Sequence, residues 1–140
     1  MPGIEKFALR GGASGFRHRL DIGLVNNMPD AALRATEMQF AGLLKSAAVG
    51  VDVRLQLFSM PGIERSPETH ARMEGFYAST DSLARTRLDA LIVTGSEPRT
   101  SDLKDETYWP QMAALVDWAQ SATLSTLWSC LAAHAAVLHL

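Results

Sequence analysis

Apolar and polar positions along the chain show two kinds of pattern, one typical of strands and one typical of helices. Residues 20–25 and 88–95 are short, largely apolar runs that stop at loop-forming residues, and residues 51–57 alternate between apolar and polar positions. Such segments predict strands, and the alternating one predicts a strand with one polar face near a sheet edge. Over residues 30–48, apolar positions recur at spacings of three, four and seven. This spacing predicts an amphipathic helix packed on the sheet.

Boundary signals indicate five further elements. They are a helix that Ser66 caps and that runs to about residue 77, a short helix from residue 80 or 81, a helix over residues 108–120, a strand over residues 123–128 and a final helix over residues 131–140. Strands alternate with helices throughout, which predicts an α/β fold with an open, mainly parallel sheet. With four predicted strands the sheet looks incomplete.

The start of the chain shows no sustained period. Four of the ten glycines fall within its first fifteen residues, which is typical of a flexible segment. We therefore predict a flexible leader over residues 1–18 and one domain over residues 19–140. A chain of 140 residues with 47% hydrophobic residues is long enough to bury a core.

Charge and hydropathy exclude several classes of function. The 13 basic and 15 acidic residues are spread along the chain and leave a net charge of −2. Without a basic stripe, neither nucleic acid nor an anionic membrane is expected as a partner. No apolar run reaches the roughly 18 residues of a membrane span, and no signal peptide is visible. These features predict a cytoplasmic protein.

The single cysteine, Cys130, lies between a predicted strand and a predicted helix. A lone cysteine excludes an internal disulfide and a cysteine-rich zinc site, and we predict no metal. Cys130 is then either a small buried apolar residue or a reactive thiol. The layout of strand, Ser129-Cys130-Leu131-Ala132 and helix matches a nucleophile elbow, whose nucleophile has a strained backbone and small neighbours. There the helix dipole favours the thiolate, and the N–H of Leu131 can face an oxyanion.

Three loops are predicted to converge on one crevice. In an open parallel sheet, binding sites form at the carboxyl ends of the strands. Asn26, Gly95 and Cys130 each follow or end a predicted strand. Asn26 and its neighbour Asn27 either bind polar groups of a substrate or shape the turn.

Five blocks of sequence carry a family resemblance. They are IGLVNNMP from residue 22, TEMQF from residue 36, LIVTG from residue 91, YWP from residue 108 and STLWSC from residue 125. The segment SPETH from residue 66, followed by Phe76-Tyr77, adds a sixth similarity. In order and approximate spacing, the blocks resemble the homoserine O-succinyltransferase family over about residues 20–140.

The resemblance implies a flavodoxin-like sheet of the class I glutamine amidotransferase type. It also implies transfer of a succinyl or acetyl group from a CoA thioester to the hydroxyl of L-homoserine, the reaction that begins methionine biosynthesis. In the family a cysteine takes the acyl group before homoserine attacks, which divides one hard transfer into two easier ones. No bound cofactor is expected, because succinyl-CoA or acetyl-CoA acts as a co-substrate.

The resemblance also implies roles for individual residues. Cys130 falls on the family's nucleophile, and Leu131 follows it as the expected oxyanion donor. The donor side is expected to include Gly95, which lets its loop approach the acyl carbonyl, together with Ser96 and Arg99. Asn26 and Asn27 are expected near the acceptor.

Arg99 departs from the family at the position tied to donor choice. In the family, glycine at this position accompanies succinyl-CoA as the donor, and glutamate accompanies acetyl-CoA. Because arginine can clamp a carboxylate in a bidentate fork, Arg99 favours succinyl-CoA. Pro98 has no N–H, so a second oxyanion donor in this loop is expected from Ser96, Glu97 or Arg99.

The residues after Cys130 also depart from the family. The usual Cys-Trp-Ala-x-Gln is here CLAAH, and the family's downstream histidine and glutamate are absent from a chain that stops ten residues after the cysteine. General-base catalysis contributes about a hundred- to ten-thousand-fold, so this chain alone is expected to be inactive. His134 either replaces the missing base or fills the family's glutamine position in the core.

An alternative hypothesis is a catalytically inactive fragment or remnant that binds a partner or self-associates. A sheet that ends early leaves an edge strand and an apolar helix face uncovered, and such surfaces promote pairing with another chain. We therefore expect a homo-oligomer, most simply a dimer.

Overall fold

A computed structural model describes residues 7–10 and 18–140. The strands are β1 (Phe7–Arg10), β2 (His18–Val25), β3 (Val51–Ser59), β4 (Tyr77–Ser79), β5 (Ala90–Val93) and β6 (Ser125–Trp128). The helices are α1 (Asp30–Ala47), α2 (Pro67–Met73), α3 (Trp109–Ala122) and α4 (Leu131–His139), with 3-10 turns over Thr80–Arg85 and Leu103–Asp105. No helix in these ranges is long and apolar enough to cross a membrane.

All six strands belong to one sheet, in the order β1-β3-β2-β5-β6 with β4 also paired to β3. β2 is parallel to both β3 and β5, and β6 is parallel to β5. These four parallel strands have the order of a flavodoxin-like sheet, in which the connections change direction between β2 and β5. The predicted α/β fold with an open, mainly parallel sheet is therefore confirmed.

The two faces of the sheet carry separate cores. Successive strand residues point to opposite faces, so Leu24 packs in the cluster that includes Ala41 of α1, whereas Val25 packs with Met112 of α3. The same alternation separates Ile92 from its neighbours on β5. Helices thus cover both faces, which explains why the central strands read as nearly continuous apolar runs.

The structure corrects the prediction for part of the first eighteen residues. Phe7–Arg10 form a strand antiparallel to residues 52–55 of β3, and β2 already begins at His18. The pairing partner lies more than forty residues away along the chain, so local periodicity does not reveal it. The rest of the predicted leader lies outside the described residues, and the domain division itself stays a prediction.

The segment after Ser66 is also partly different from its prediction. Ser66 caps α2 as expected, because its hydroxyl accepts from the N–H of Thr69 at 3.2 Å. The helix ends at Met73 rather than near Tyr77, since Gly75 takes a φ of 81° that turns the chain. Residues 77–79 then pair with β3 as the short strand β4. The prediction of a helix to about residue 77 did not include this strand.

Candidate functional site

Cys130 occupies the turn between β6 and α4. Its φ of 58° and ψ of −125° make it the only residue other than glycine with a positive φ in the described part of the chain. A backbone of this kind costs about 1–3 kcal/mol and persists only where the surroundings enforce it. The residue is exposed, so its interpretation as a buried small apolar residue is wrong. The turn presents the thiol at the start of α4.

Gly95 lies directly against the backbone that follows Cys130. A Cβ added to Gly95 would stand 2.8 Å from both the backbone nitrogen and the Cβ of Leu131. Only glycine permits this approach. The N–H of Leu131 finds no hydrogen-bond partner among the described residues, because the first N–H of α4 has no preceding turn to bond. An unpaired donor is therefore held beside both the thiol residue and the loop after β5.

The loops that follow β2, β5 and β6 begin at the same edge of the sheet. Each loop begins with a hydrogen bond to the neighbouring strand: Asn26 N–H donates to Phe58 O at 3.0 Å, Thr94 N–H to Val25 O at 3.0 Å, and Ser129 N–H to Val93 O at 2.9 Å. The residues that come next, including Gly95 and Cys130, thus share one edge of the sheet. This edge includes the point between β2 and β5 where open sheets place their ligands.

Asn27 ties two of these loops together. Its backbone N–H donates to Thr94 Oγ1 at 2.8 Å, and its Nδ2 donates to the Thr94 carbonyl at 3.2 Å. The side-chain oxygen Oδ1 has no partner among the described residues, although only 1% of the residue is exposed.

Asn26 has a different role from its neighbour. Its Nδ2 donates to the Leu33 carbonyl at 2.9 Å and to the Tyr77 hydroxyl at 3.2 Å, and its Oδ1 accepts from the Met28 N–H at 3.2 Å. The residue is fully buried. Of the two interpretations of Asn26, these contacts support the shaping of the turn, because its polar atoms are already engaged inside the chain.

Tyr77 extends this buried network toward α1. Its hydroxyl donates to Glu37 Oε1 at 2.5 Å. Burial first, and then the Glu37 carboxylate, raise the pKa of Tyr77 above its ordinary value. The phenol therefore remains a hydrogen-bond donor and fastens β4 to α1 beside the Asn26 turn.

Arg65 was not identified from the sequence. Its side chain is only 7% exposed, and its Nη1 and Nη2 donate to the carbonyls of Met28 at 2.5 Å and Asn26 at 3.0 Å. These bonds fasten the loop after β3 to the loop after β2. A single arginine in a loop carries no local signal for such a role, because its acceptors are distant backbone carbonyls.

Asp30 completes this junction. Its carboxylate accepts from Arg65 Nη1 at 3.3 Å and from the Ser66 N–H at 2.8 Å. Burial opposes ionisation, but the hydrogen bonds from Ser66 and Arg65 outweigh it and hold the pKa of Asp30 below its ordinary value. Asp30 thus begins α1 and anchors the start of α2 at the same time.

Glu106 organises the loop that carries Arg99. Its Oε1 accepts from the N–H groups of Arg99 at 2.6 Å and Thr100 at 2.8 Å, and from the Thr100 hydroxyl at 2.9 Å. These hydrogen bonds, the Thr100 N–H first, lower the pKa of Glu106. The backbone N–H of Arg99 is therefore occupied, which leaves Ser96 and Glu97 as candidates for a second oxyanion donor from this loop.

The guanidinium of Arg99 faces solvent and pairs with Glu64 from the loop after β3. The hydrogen bond and the charge of Glu64 raise the pKa of Arg99. Both side chains are mostly exposed, at 67% and 70%. Arg99, which was expected to bind a substrate carboxylate, is thus already paired with the carboxylate of Glu64. Because the pair is exposed, water and salt weaken it.

A cleft of about 580 Å³ opens between the loops after β2, β3 and β5. Asn27, Arg65, Ser96, Arg99 and Tyr108 are among its lining residues. Cys130 does not line it and lies beyond the Gly95 loop. The site therefore consists of an exposed thiol and an adjoining polar cleft.

His134 lies on the exposed surface of α4. Its interpretation as a buried substitute for the family's glutamine is wrong, because α4 turns Ala132, Ala135 and Ala136 toward the core instead. His134 makes no hydrogen bond to Cys130 within the described residues. In the same part of the chain, no group of three or more His, Cys, Asp or Glu side chains is placed to hold a metal ion.

Comparison with known proteins adds a family relationship to this geometry. The sequence model of the family described as "HTS: Homoserine O-succinyltransferase" matches residues 13–140. A homoserine O-succinyltransferase of Rhodopseudomonas palustris is 60% identical over 121 residues, which cover 86% of this chain and 36% of that protein. Proteins of the same name from Bradyrhizobium japonicum and Methylorubrum extorquens are 56% and 50% identical, over 86% and 89% of this chain and 38% and 36% of theirs. The chain spans about a third of the length of these curated relatives.

Proposed function

This chain belongs to the homoserine O-succinyltransferase family, and from that premise we propose that it carries the nucleophile of an acyl transfer from a CoA thioester to L-homoserine. The observation that carries the proposal is the strained, exposed Cys130 at the start of α4. Beside it lies the N–H of Leu131, which has no partner in the described part of the chain. Strain of this kind is typical of functional sites. The relatives' name supports the type of reaction.

In the first proposed step, Cys130 Sγ attacks the carbonyl carbon of the thioester. The carbonyl oxygen becomes an oxyanion, which the N–H of Leu131 stabilises. CoA then leaves as its thiolate and takes up the proton that the Cys130 thiol lost on attack. The product is an acyl-cysteine. Gly95 lets the loop after β5 lie against Leu131, and the N–H of Ser96 or Glu97 is the proposed second oxyanion donor.

In the second proposed step, the hydroxyl oxygen of L-homoserine attacks the acyl-cysteine carbonyl. The hydroxyl proton passes to a general base, and the thiolate of Cys130 leaves and is regenerated. Within the described residues no histidine or carboxylate is hydrogen-bonded to Cys130 Sγ. The described residues thus account for acylation better than for deacylation, and we expect the half-reaction on this chain without sustained turnover.

Succinyl-CoA is the proposed donor and acetyl-CoA the alternative. The name of the relatives supports succinyl. Arg99 supports it as well, because its pair with Glu64 is exposed and a succinyl carboxylate can replace Glu64 at small cost.

Since the proposed co-substrate is an acyl-CoA, the proposed location of the reaction is the cytoplasm.

A second candidate function is self-association. Leu127 on the edge strand β6 is 54% exposed and Val137 on α4 is 79% exposed, and Leu124, Leu138 and Leu140 are exposed nearby in sequence. An edge strand with exposed apolar residues is prone to pairing with a further chain. These residues support a homo-oligomer.

Acylation of Cys130 tests the main proposal. The chain is mixed with succinyl-CoA, and the mass of the intact protein is followed by mass spectrometry. We expect one succinyl group per chain, located on Cys130 and removable by hydroxylamine. The Cys130→Ala variant serves as the control and should remain unmodified. Modification of both proteins to the same extent, or of neither, would reject Cys130 as the nucleophile.

A further inference from the structure

Thr94, the first residue after β5, is buried and has all its polar atoms in hydrogen bonds. Only 3% of the residue is exposed. Its N–H donates to the Val25 carbonyl at 3.0 Å, and its own carbonyl accepts from Asn27 Nδ2 at 3.2 Å. Its hydroxyl oxygen accepts from the Asn27 N–H at 2.8 Å, and the hydroxyl donates to the Gly95 carbonyl at 3.1 Å. The hydroxyl thus joins the loop after β2 to the peptide that follows Gly95.

The direction of the Thr94 hydroxyl proton follows from its two partners. A backbone N–H can only donate, so the bond with Asn27 occupies a lone pair of the hydroxyl oxygen. The hydroxyl has one proton, and the other partner, the Gly95 carbonyl, can only accept it. The loop after β2 therefore orients the hydroxyl, and the hydroxyl in turn holds the Gly95 carbonyl oxygen.

The Gly95 carbonyl belongs to the same peptide plane as the N–H of Ser96. No peptide bond in the described ranges is cis, and in a trans peptide the carbonyl and the N–H point in opposite directions. Thr94 and Asn27 hold the carbonyl oxygen on the side of the loop after β2. β5 lies between β2 and β6 in the sheet. The Ser96 N–H is therefore turned toward the side of β6, the strand that Cys130 follows.

A second contact holds the same peptide. It begins at the Cα of Gly95, which packs on the backbone nitrogen of Leu131. Neither the Ser96 N–H nor the Leu131 N–H has a hydrogen-bond partner within the described residues. The Ser96 carbonyl accepts no hydrogen bond there either, so the next N–H, that of Glu97, is not held in this way. Two donors without a partner are thus joined through one rigid peptide, as the stabilisation of an oxyanion requires.

From this arrangement we infer that Thr94 is a positioning residue of the elbow. Its hydroxyl holds the Gly95–Ser96 peptide so that the Ser96 N–H faces the same acyl oxygen as the Leu131 N–H. Thr94 acts on the acyl group only through this peptide, and Asn27 contributes by orienting the hydroxyl. The presence of an acyl group on Cys130 rests on the proposed function.

Two reactions of the same thiol separate positioning from a purely structural role. The Cys130 thiolate attacks the acetyl carbon of p-nitrophenyl acetate, a tetrahedral oxyanion forms, and p-nitrophenolate leaves. Iodoacetamide instead alkylates the thiolate by direct displacement of iodide, and no oxyanion forms. Neither reagent needs a site for CoA or homoserine. The ratio of the two rates, measured by mass spectrometry of the intact chain, therefore reports on the oxyanion donors rather than on the exposure of the thiol.

Thr94→Val removes the hydroxyl and keeps nearly the same side-chain shape. We expect acetylation to slow by at least about ten-fold, but by less than when a whole donor is lost, because the Ser96 N–H is misdirected rather than removed. Alkylation should stay within about two-fold, because the thiol remains at the start of α4. Thr94→Ser restores the hydroxyl and should restore the rate of acetylation. Equal slowing of both reactions, or of neither, in a folded valine variant would overturn the positioning role.

Thr86→Val is the matched control. The Thr86 hydroxyl also donates to a backbone carbonyl, that of Ser82 at 2.8 Å. Thr86 precedes β5, so it lies toward the opposite edge of the sheet from the elbow. Its loss should leave the ratio of the two rates unchanged, and circular dichroism spectra check that both valine variants fold.

The unchanged chain provides a second measurement, which decides the question if Thr94→Val does not fold. A buried hydroxyl proton that is held between two partners exchanges slowly with water and gives its own NMR resonance. We expect such a resonance for Thr94, with a nuclear Overhauser cross-peak to the Asn27 amide proton. A hydroxyl proton that exchanges freely with water would overturn the inference.

These results separate from the test of the proposed function. A selective loss of acetylation in Thr94→Val, in a chain that succinyl-CoA does not modify, would keep the positioning role and reject the acyl-transfer proposal. Succinylation of Cys130 with an unchanged ratio of rates in Thr94→Val would do the reverse.

Discussion

The Cα of Gly95 packs against the backbone of Leu131 so closely that a Cβ would stand 2.8 Å from the Leu131 nitrogen. This contact joins the loop after β5 to the start of α4. It holds the N–H of Leu131, for which residues 7–10 and 18–140 provide no acceptor, between the proposed donor loop and Cys130. This close contact thus coincides with the atoms to which we assign the chemistry.

Replacing Gly95 with alanine should therefore disrupt the elbow. The new methyl group must push the loop or α4 away, and we expect succinylation of Cys130 to slow by about a hundred- to a thousand-fold, as when an oxyanion donor is lost. Rates of acylation from intact-protein mass spectrometry measure the effect. Gly42→Ala is the matched control, because a Cβ at Gly42 in α1 meets nothing within 4 Å. That control should retain the rate and stabilise the fold by about 0.5–1 kcal/mol.

The strain at Cys130 predicts an unusual effect of glycine. Cys130→Gly should relieve the positive φ, whereas Cys130→Ala keeps a Cβ and the strain. We expect the glycine variant to exceed the alanine variant in free energy of unfolding by about 1–3 kcal/mol, measured by urea denaturation. Both variants lose the thiol, so their difference reports on the backbone alone. A glycine variant less stable than the alanine variant would show that the turn is not strained.

Asp30 should contribute to the acid stability of the chain. Its folded-state pKa lies below the unfolded value of about 3.9, so its stabilisation is complete above that pH and is lost as the pH falls through the folded pKa. Asp30→Asn should lower the free energy of unfolding at neutral pH and make its decline below about pH 4 shallower. Urea denaturation at a series of pH values measures both. An unchanged acid slope in the variant would contradict this role of Asp30.

Donor choice should depend on the pair formed by Arg99 and Glu64. Arg99→Glu should reduce acylation by succinyl-CoA much more than acylation by acetyl-CoA, because only the succinyl group has a carboxylate to repel. Glu64→Gln is the complementary change, since it frees Arg99 and should increase the preference for succinyl-CoA. Competition between the two donors, read by mass spectrometry, gives the ratio. Equal losses for both donors in the Arg99 variant would refute the pairing.

Self-association should depend on the exposed apolar residues of β6 and α4. We expect sedimentation velocity to show a species larger than a monomer, and the double variant with Leu127→Lys and Val137→Lys to shift it toward the monomer. Leu43→Lys is the matched control, because Leu43 on α1 is also exposed, at 59%. A monomer at high concentration, or equal dissociation by both sets of changes, would count against this surface.

Much of this protein was determined by its sequence alone. Strands and helices follow from local periodicity, so the α/β fold, the cap at Ser66 and the position of Cys130 between β6 and α4 could be predicted. These features depend on residues within a few positions of each other. The family blocks added the proposed chemistry, because their residue types and order are visible without coordinates.

The tertiary structure decided what depends on distant partners. The pairing of β1 with β3, the anchoring of two loops by Arg65 and the contact of Gly95 with Leu131 each join segments more than thirty residues apart. The difference between Asn26 and Asn27, adjacent and identical in the sequence, arises in the same way. The side-chain amide of Asn26 has its partners inside the chain, whereas the side-chain oxygen of Asn27 has none among the described residues. These contacts are decided only when the chain folds. The periodicity of the sequence specifies the face to which a side chain points, but not the atoms that it contacts.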